Sequence, residues 1–180
     1  DVYEDLIYLE RNLPDHPGVY IDFGHYYNIL DEPEKSCEYL LKAKEIYEES
    51  NEYKEPDQLS YDLATVYGKL GNTEKSIEYF MENYKKTDDI DALEQVYNKY
   101  VTSGKFEMAK DILQEIIKAE GTSNLSFDYF ERMGDINWQM KNIKEAVKYY
   151  SLIIKPDTDQ KREKARLLYY TGNSKKALKL

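Results

Sequence analysis

Two histidines, His16 and His25, and one cysteine, Cys37, are the imidazole and thiol groups of this 180-residue chain, and they bound its metal and nucleophile chemistry. A structural zinc site needs Cys and His at short, recurring spacings, which these three residues lack. His16 also lies between Pro14 and Pro17, in a predicted turn. His25 and Cys37 could meet across a helical hairpin as base and thiolate, but Cys37 follows the small Ser36 and suits a packed position better than a reactive one. The glycines form neither a GxGxxG pattern nor a phosphate-binding loop. Carboxylates are plentiful, yet acidic side chains on helix faces are ordinarily solvated surface. These residue types point away from an enzyme and imply no cofactor or metal.

The elements that would position such side chains are helical. With 41% hydrophobic residues, including 19 Tyr and 5 Phe, the chain has enough large apolar surface to fold. Eight Gly and five Pro are too few for the many turns of a strand-rich sandwich or barrel. No stretch approaches the roughly 18 consecutive apolar residues of a membrane span, and one cysteine cannot close an internal disulfide. The opening DVYEDLIYLERN is acidic and periodic, unlike a signal peptide, so the expectation is a cytoplasmic protein with no membrane association. A net charge of −10 argues against nucleic acid or an anionic lipid surface as a general partner.

The chain is internally repetitive. LDEPEKSCEYLLKA, LGNTEKSIEYFMEN, SGKFEMAKDILQEI and MKNIKEAVKYYSLI align on a small residue followed four positions later by a large one, and TGNSKKALKL begins a fifth copy. The small residues are Ser36, Ser76, Ala109, Ala146 and Ala177, at spacings of 40, 33, 37 and 31. Upstream of each of the first four lies another helical segment with Gly24 and Tyr27, Ala64 and Tyr67, Tyr97 and Tyr100, or Gly134 and Trp138. Small residues mark where two helix axes cross closely, and the bulky ones fill the grooves between them. Each unit therefore reads as helix, tight turn, helix. The expected helices are 2–12, 18–30 with 33–50, 57–70 with 73–86, 89–103 with 106–119, 124–140 with 143–155, and 159–171 with 174–180.

This pattern resembles the tetratricopeptide repeat family, whose unit is about 34 residues long. Gly24, Ala64 and Gly134 match its small residue in the first helix, and the Ser36 to Ala177 series matches the one in the second. Gly71, Gly104 and Gly172 match its turn glycine, while Leu40, Phe80, Leu113 and Tyr150 match the large residue that follows. Asp31 and Lys141 depart from the turn glycine, Tyr97 departs from the small position, and the closing proline is nearly absent. The resemblance implies an all-α, right-handed superhelical solenoid of antiparallel helix pairs. Its repeats would be 17–50, 57–88, 89–120 and 124–157, with partial repeats 1–16 and 158–180. Because each repeat buries its apolar face on the next, a chain starting and ending in mid-repeat reads as part of a longer array, or as a homo-oligomer joined through its repeat ends.

In that family the first helices line a concave groove that commonly holds a peptide. The resemblance places Ile21, His25 and Asn28 there, then Tyr61, Asp62 and Thr65, then Asp91, Glu94, Asn98 and Val101, and finally Asp128, Glu131, Asp135 and Trp138. Trp138 stands one residue past the usual bulky site, about 100° around the helix, and is expected to face the groove. Family members that clamp a chaperone's C-terminal carboxylate use Lys, Asn and Arg on this face. The acidic set here would repel such a ligand and suits a basic segment instead, with Trp138 as a cation–π anchor. The expected function is thus a non-catalytic protein–protein interaction scaffold. Two alternatives are a self-association module and the ligand-sensing repeats of a peptide-regulated bacterial regulator, which the Tyr-rich helices and long first repeat resemble.

Charge is unevenly spread along the chain. Residues 1–60 carry a net −11, residues 61–120 a net −4, and residues 121–180 a net +5 around Lys161, Arg162, Lys164, Arg166, Lys175 and Lys176. An acidic end and a basic end follow if the repeats stack in sequence order.

Overall fold

A computed structural model describes residues 1–50, 52–121 and 127–152, and among these the chain is helical with no strand. The helices are α1 (Val2–Asn12), α2 (Pro17–Ile29), α3 (Pro33–Glu49), α4 (Gln58–Lys69), α5 (Thr73–Thr87), α6 (Ile90–Thr102), α7 (Phe106–Glu120), α8 (Phe127–Gln139) and α9 (Ile143–Ser151). Their bounds follow the periodicity closely. The expected pair 159–171 and 174–180, with Gly172, Ala177 and the basic cluster from Lys161 to Lys176, lies outside the described residues, as does the start of the fourth repeat at 124–126. The chain forms two compact units, Asp1–Gln95 and Val96–Leu180. In the first, α2 pairs with α3 and α4 with α5, α3 packs on α4, and α1 packs on α2. In the second, α8 pairs with α9 and also packs against α7.

Local chemistry sets the helix starts. Asp1 accepts from the Tyr3 N–H, the His16 ring from the Gly18 N–H beside Pro17, and Asn72 from the Lys75 N–H, each satisfying an orphan donor of the first turn. Four helix ends share one device. Asp31, Gly71, Gly104 and Lys141 hold φ of 57°, 74°, 69° and 61°. Each donates its N–H to the carbonyl three residues back. The next N–H reaches five residues back: Glu32 to Tyr27 at 2.9 Å, Asn72 to Tyr67 at 2.9 Å, Lys105 to Tyr100 at 2.9 Å and Asn142 to Asn137 at 2.8 Å. This is the Schellman arrangement, which favours glycine at the left-handed position. The two departures from the turn glycine therefore keep its backbone conformation while bearing a Cβ. Lys141→Gly is expected to stabilise the protein by about 0.5–1 kcal/mol, seen as a higher urea midpoint at unchanged slope. An unchanged or lower midpoint would show that Lys141 carries no conformational penalty.

The small positions let helices of a pair touch, and in the first unit they also bond. Ser36 Oγ donates to the Gly24 carbonyl at 2.7 Å and Ser76 Oγ to the Ala64 carbonyl at 2.5 Å, while in the second unit buried Ala109 and Ala146 take the corresponding places. A Cβ on Gly24 would stand 2.6 Å from the Leu40 side chain, and one on Gly134 would stand 2.7 Å from the Tyr150 ring. Around these crossings lie two cores of the first unit. Leu6, Val19, Phe23 and Tyr27 form one, and Cys37, Leu40, Leu59, Leu63, Val66 and Tyr67 the other. Equivalent tyrosines stack in successive repeats, Tyr27 on Tyr39 at 5.4 Å and Tyr67 on Tyr79 at 5.5 Å. Lys35 and Lys75 sit 4.9 Å from the Tyr27 and Tyr67 rings respectively. Those rings are thus core and structural, as their place in the repeat implies.

Candidate functional site

In the first unit the predicted groove residues of α2 and α4 meet. His25 Nε2 lies 2.7 Å from Asp62 Oδ2, and Gln58 Nε2 donates to Asp62 Oδ1 at 3.1 Å, so both carboxylate oxygens are engaged. Beside them Tyr61 is half-buried with its ring edge-on to Phe80 at 5.0 Å. Burial pushes the Tyr61 phenol up, and the carboxylates of Asp91, Asp89 and Asp62 push it further. Thr65 Oγ1 donates to the Tyr61 carbonyl at 3.0 Å. Asp91 is exposed and Glu94 half-buried on the following helix. Asn28 offers its carbonyl to Lys69 Nζ at 3.3 Å, and its own Oδ1 is buried without a hydrogen bond.

Ile21 is half-buried and packs against the Cys37–Tyr67 core. Its counterpart one repeat on, Tyr61, is likewise partly inward, so this repeat position mediates packing as much as display. Cys37 is buried, and burial pushes its thiol up, against a hydrogen bond with Tyr67 and the Lys75 charge. His25 and Cys37 thus have separate partners, Asp62 and Tyr67, and do not form a base–thiol pair. Among the described residues no three His, Cys, Asp or Glu side chains converge as metal ligands, and no helix is long and apolar enough to cross a membrane.

The second unit holds Asn98, exposed on α6, and Asp128, Glu131, Asp135 and Trp138 along α8. The acidic row is interrupted by Arg132, whose Nε binds Asp128 Oδ2 at 2.8 Å and whose guanidinium lies 5.2 Å from the Tyr97 ring. Its i, i+4 spacing from Asp128 is legible in the sequence. Asp135 accepts a hydrogen bond from the Tyr150 hydroxyl. Trp138 is half-buried: one part packs on the Ala146–Tyr150 cluster, and it also borders a cavity of about 580 Å³. Tyr97, Val101, Phe106, Asp135 and Tyr150 border the same space. Phe106, at the start of α7, is a wall residue that no repeat spacing singles out.

A further charged cluster, in the first unit, is structural. Lys44 of α3 and Lys86 of α5 converge on Glu82 at 2.9 and 2.7 Å, Lys86 binds Glu55 at 2.8 Å, and Ser60 Oγ donates to Glu82 at 3.0 Å. In this cluster Glu82 and Glu55 are both paired with lysines.

Paired helices closed by one recurrent turn define a helical-repeat protein. Residues 17–50, 58–82 and 127–155 match the tetratricopeptide repeat, and the chain belongs to that family. Its members are generally non-catalytic protein-interaction modules. No curated protein matches the sequence. Among solved structures the chain is similar to MamA from Desulfovibrio magneticus, with 11% identity, a TM-score of 0.63, and 91% of this chain and 89% of that one covered. It is similar to the C-terminal part of a TPR repeat-containing protein from Cytophaga hutchinsonii, at 16% identity and TM-score 0.70, covering 94% and 65%. YrrB, described as a TPR protein with an unusual peptide-binding site, matches at 16% identity and TM-score 0.65, covering 97% and 87%.

Proposed function

We propose that the protein is a scaffold whose first-helix faces bind a partner segment carrying basic residues. The observation that supports this best is that the charges of Asp91, Asp89 and Asp62 act, beside burial, on the half-buried Tyr61 phenol, which makes one aromatic site negative in character. Such a site attracts Lys or Arg and rejects a carboxylate-ended ligand. In the first unit His25, Asn28, Tyr61, Asp62, Thr65, Asp91 and Glu94 make up this face. In the second unit Asn98, Asp128, Glu131, Asp135 and Trp138 do. The peptide-binding site named for YrrB accords with such a use of the fold.

Fluorescence anisotropy of a labelled Lys/Arg-rich peptide tests the reading. Binding should weaken steeply with added salt. The Asp62→Asn/Asp91→Asn double variant and Glu131→Lys should each weaken it about tenfold, a loss near 1.4 kcal/mol. Affinity indifferent to salt and to both variants would overturn it.

A further inference from the structure

The cavity of the second unit has a composition that a packing defect would not need. Half of its lining is aromatic, from Tyr97, Phe106, Trp138 and Tyr150, and Asp135 contributes a carboxylate beside Val101, Ile136 and Gln139. The carboxylate is oriented. Tyr150 donates its hydroxyl to Asp135 Oδ1, and the Tyr150 ring reaches that position because residue 134 has no side chain. Gly134 therefore serves the site as well as the crossing of α8 and α9: any Cβ there would meet the ring at 2.7 Å. At about 580 Å³ the space lies within the range of built ligand pockets and exceeds what one water would fill.

We propose that this cavity is an anchor pocket for an arginine side chain of an extended partner peptide. The inference rests on the scaffold reading above and names the chemistry of one of its contacts. A planar guanidinium stacks on Trp and Tyr faces and pairs with a carboxylate, a combination that neither an aliphatic nor an acidic side chain can use. The unit already contains one instance of this chemistry, since the Arg132 guanidinium lies 5.2 Å from Tyr97 while Asp128 balances its charge. The pocket brings the same two elements, an aromatic ring and a carboxylate, to a second guanidinium from the half-buried Trp138 and the exposed Asp135.

Trp138 is the single tryptophan of the chain, so intrinsic fluorescence reports on this pocket. The probe is an otherwise uncharged Ser/Gly peptide carrying one arginine, compared with the same peptide carrying citrulline, its neutral isostere. The arginine peptide should produce a saturable change in Trp138 emission, with citrulline weaker by about tenfold or more. Asp135→Asn, which keeps an acceptor for Tyr150, should lower arginine binding to the citrulline level. Equal affinities for the two peptides, or an unaffected Asp135→Asn variant, would overturn the pocket. If the anisotropy experiment reports binding while Trp138 stays silent, the pocket assignment fails and the scaffold reading stands. Binding in neither assay ends both.

Discussion

Gly24→Ala is expected to destabilise the first unit by about 2 kcal/mol, although alanine is the better helix former by about 1 kcal/mol. The sign decides the matter. At an unencumbered helix position the substitution would stabilise, so a loss measures the contact. The added Cβ would lie 2.6 Å from Leu40 Cγ and Cδ2 and 3.5 Å from the Ser36 carbonyl. Leu40 cannot retreat, being 1% exposed within the Cys37–Tyr67 core, and separating the helices would stretch the 2.7 Å bond from Ser36 to the Gly24 carbonyl. Leu40→Ala alone should cost about 2–5 kcal/mol through the cavity it leaves. In the double variant the new methyl partly fills that cavity, so the combined loss should fall short of the sum by about 1–2 kcal/mol. Urea unfolding of the four proteins checks this. Strict additivity would mean that Gly24 and Leu40 are not in the contact described.

The helix pairs were legible in the sequence because the signal is periodic and local: Ser36, Ser76, Ala109 and Ala146 recur with a large residue four positions on. The turns were legible too, even where glycine is missing, since Asp31 and Lys141 occupy the same register and hold the same φ as Gly71 and Gly104. Side-chain direction was less so. One residue on a helix is about 100° of rotation, and the faces near the boundary between core and display receive both kinds of contact. Ile21 and Trp138 lie on that boundary: Ile21 packs inward, and Trp138 divides its surface between the Tyr150 cluster and the cavity. What periodicity could not show is convergence between elements. The His25–Asp62 contact joins residues 37 apart, and Phe106 and Tyr150 reach one cavity from different helices. Asn137 shows how the repeat can mislead. It takes the place of Tyr27 and Tyr67, is buried, and donates from Nδ2 to the Met133 carbonyl at 2.7 Å. The bulky residue that seemed to have moved to Trp138 was instead replaced by a polar one satisfied within its own helix.

Glu82→Gln should remove about 2 kcal/mol at neutral pH and flatten the acid limb of the stability curve. Burial alone would push the Glu82 carboxyl up, but hydrogen bonds from Lys86, Lys44 and Ser60, with the Lys44 charge, outweigh it and hold the group at about 2 against an ordinary value of 4.5. Taken at face value that difference is worth about 3 kcal/mol. Partial exposure of Glu82 and Lys86 screens the cluster, which is why about 2 is expected. The direction follows from which form the fold prefers. The ionised carboxylate is favoured, so its contribution is complete above 4.5 and is lost as pH falls toward about 2. Wild type should lose stability over that window more steeply than Glu82→Gln. The neutral amide keeps an acceptor for Ser60 but leaves Lys44 and Lys86 to share Glu55, at 3.6 and 2.8 Å. The cluster draws on α3, Glu55 of the 52–57 loop, α4 and α5, so it fastens that loop to two helix pairs. Parallel acid limbs for the two proteins, measured by urea midpoints from pH 7 downward, would show that Glu82 titrates as an ordinary surface carboxylate and that the loop is held by other contacts.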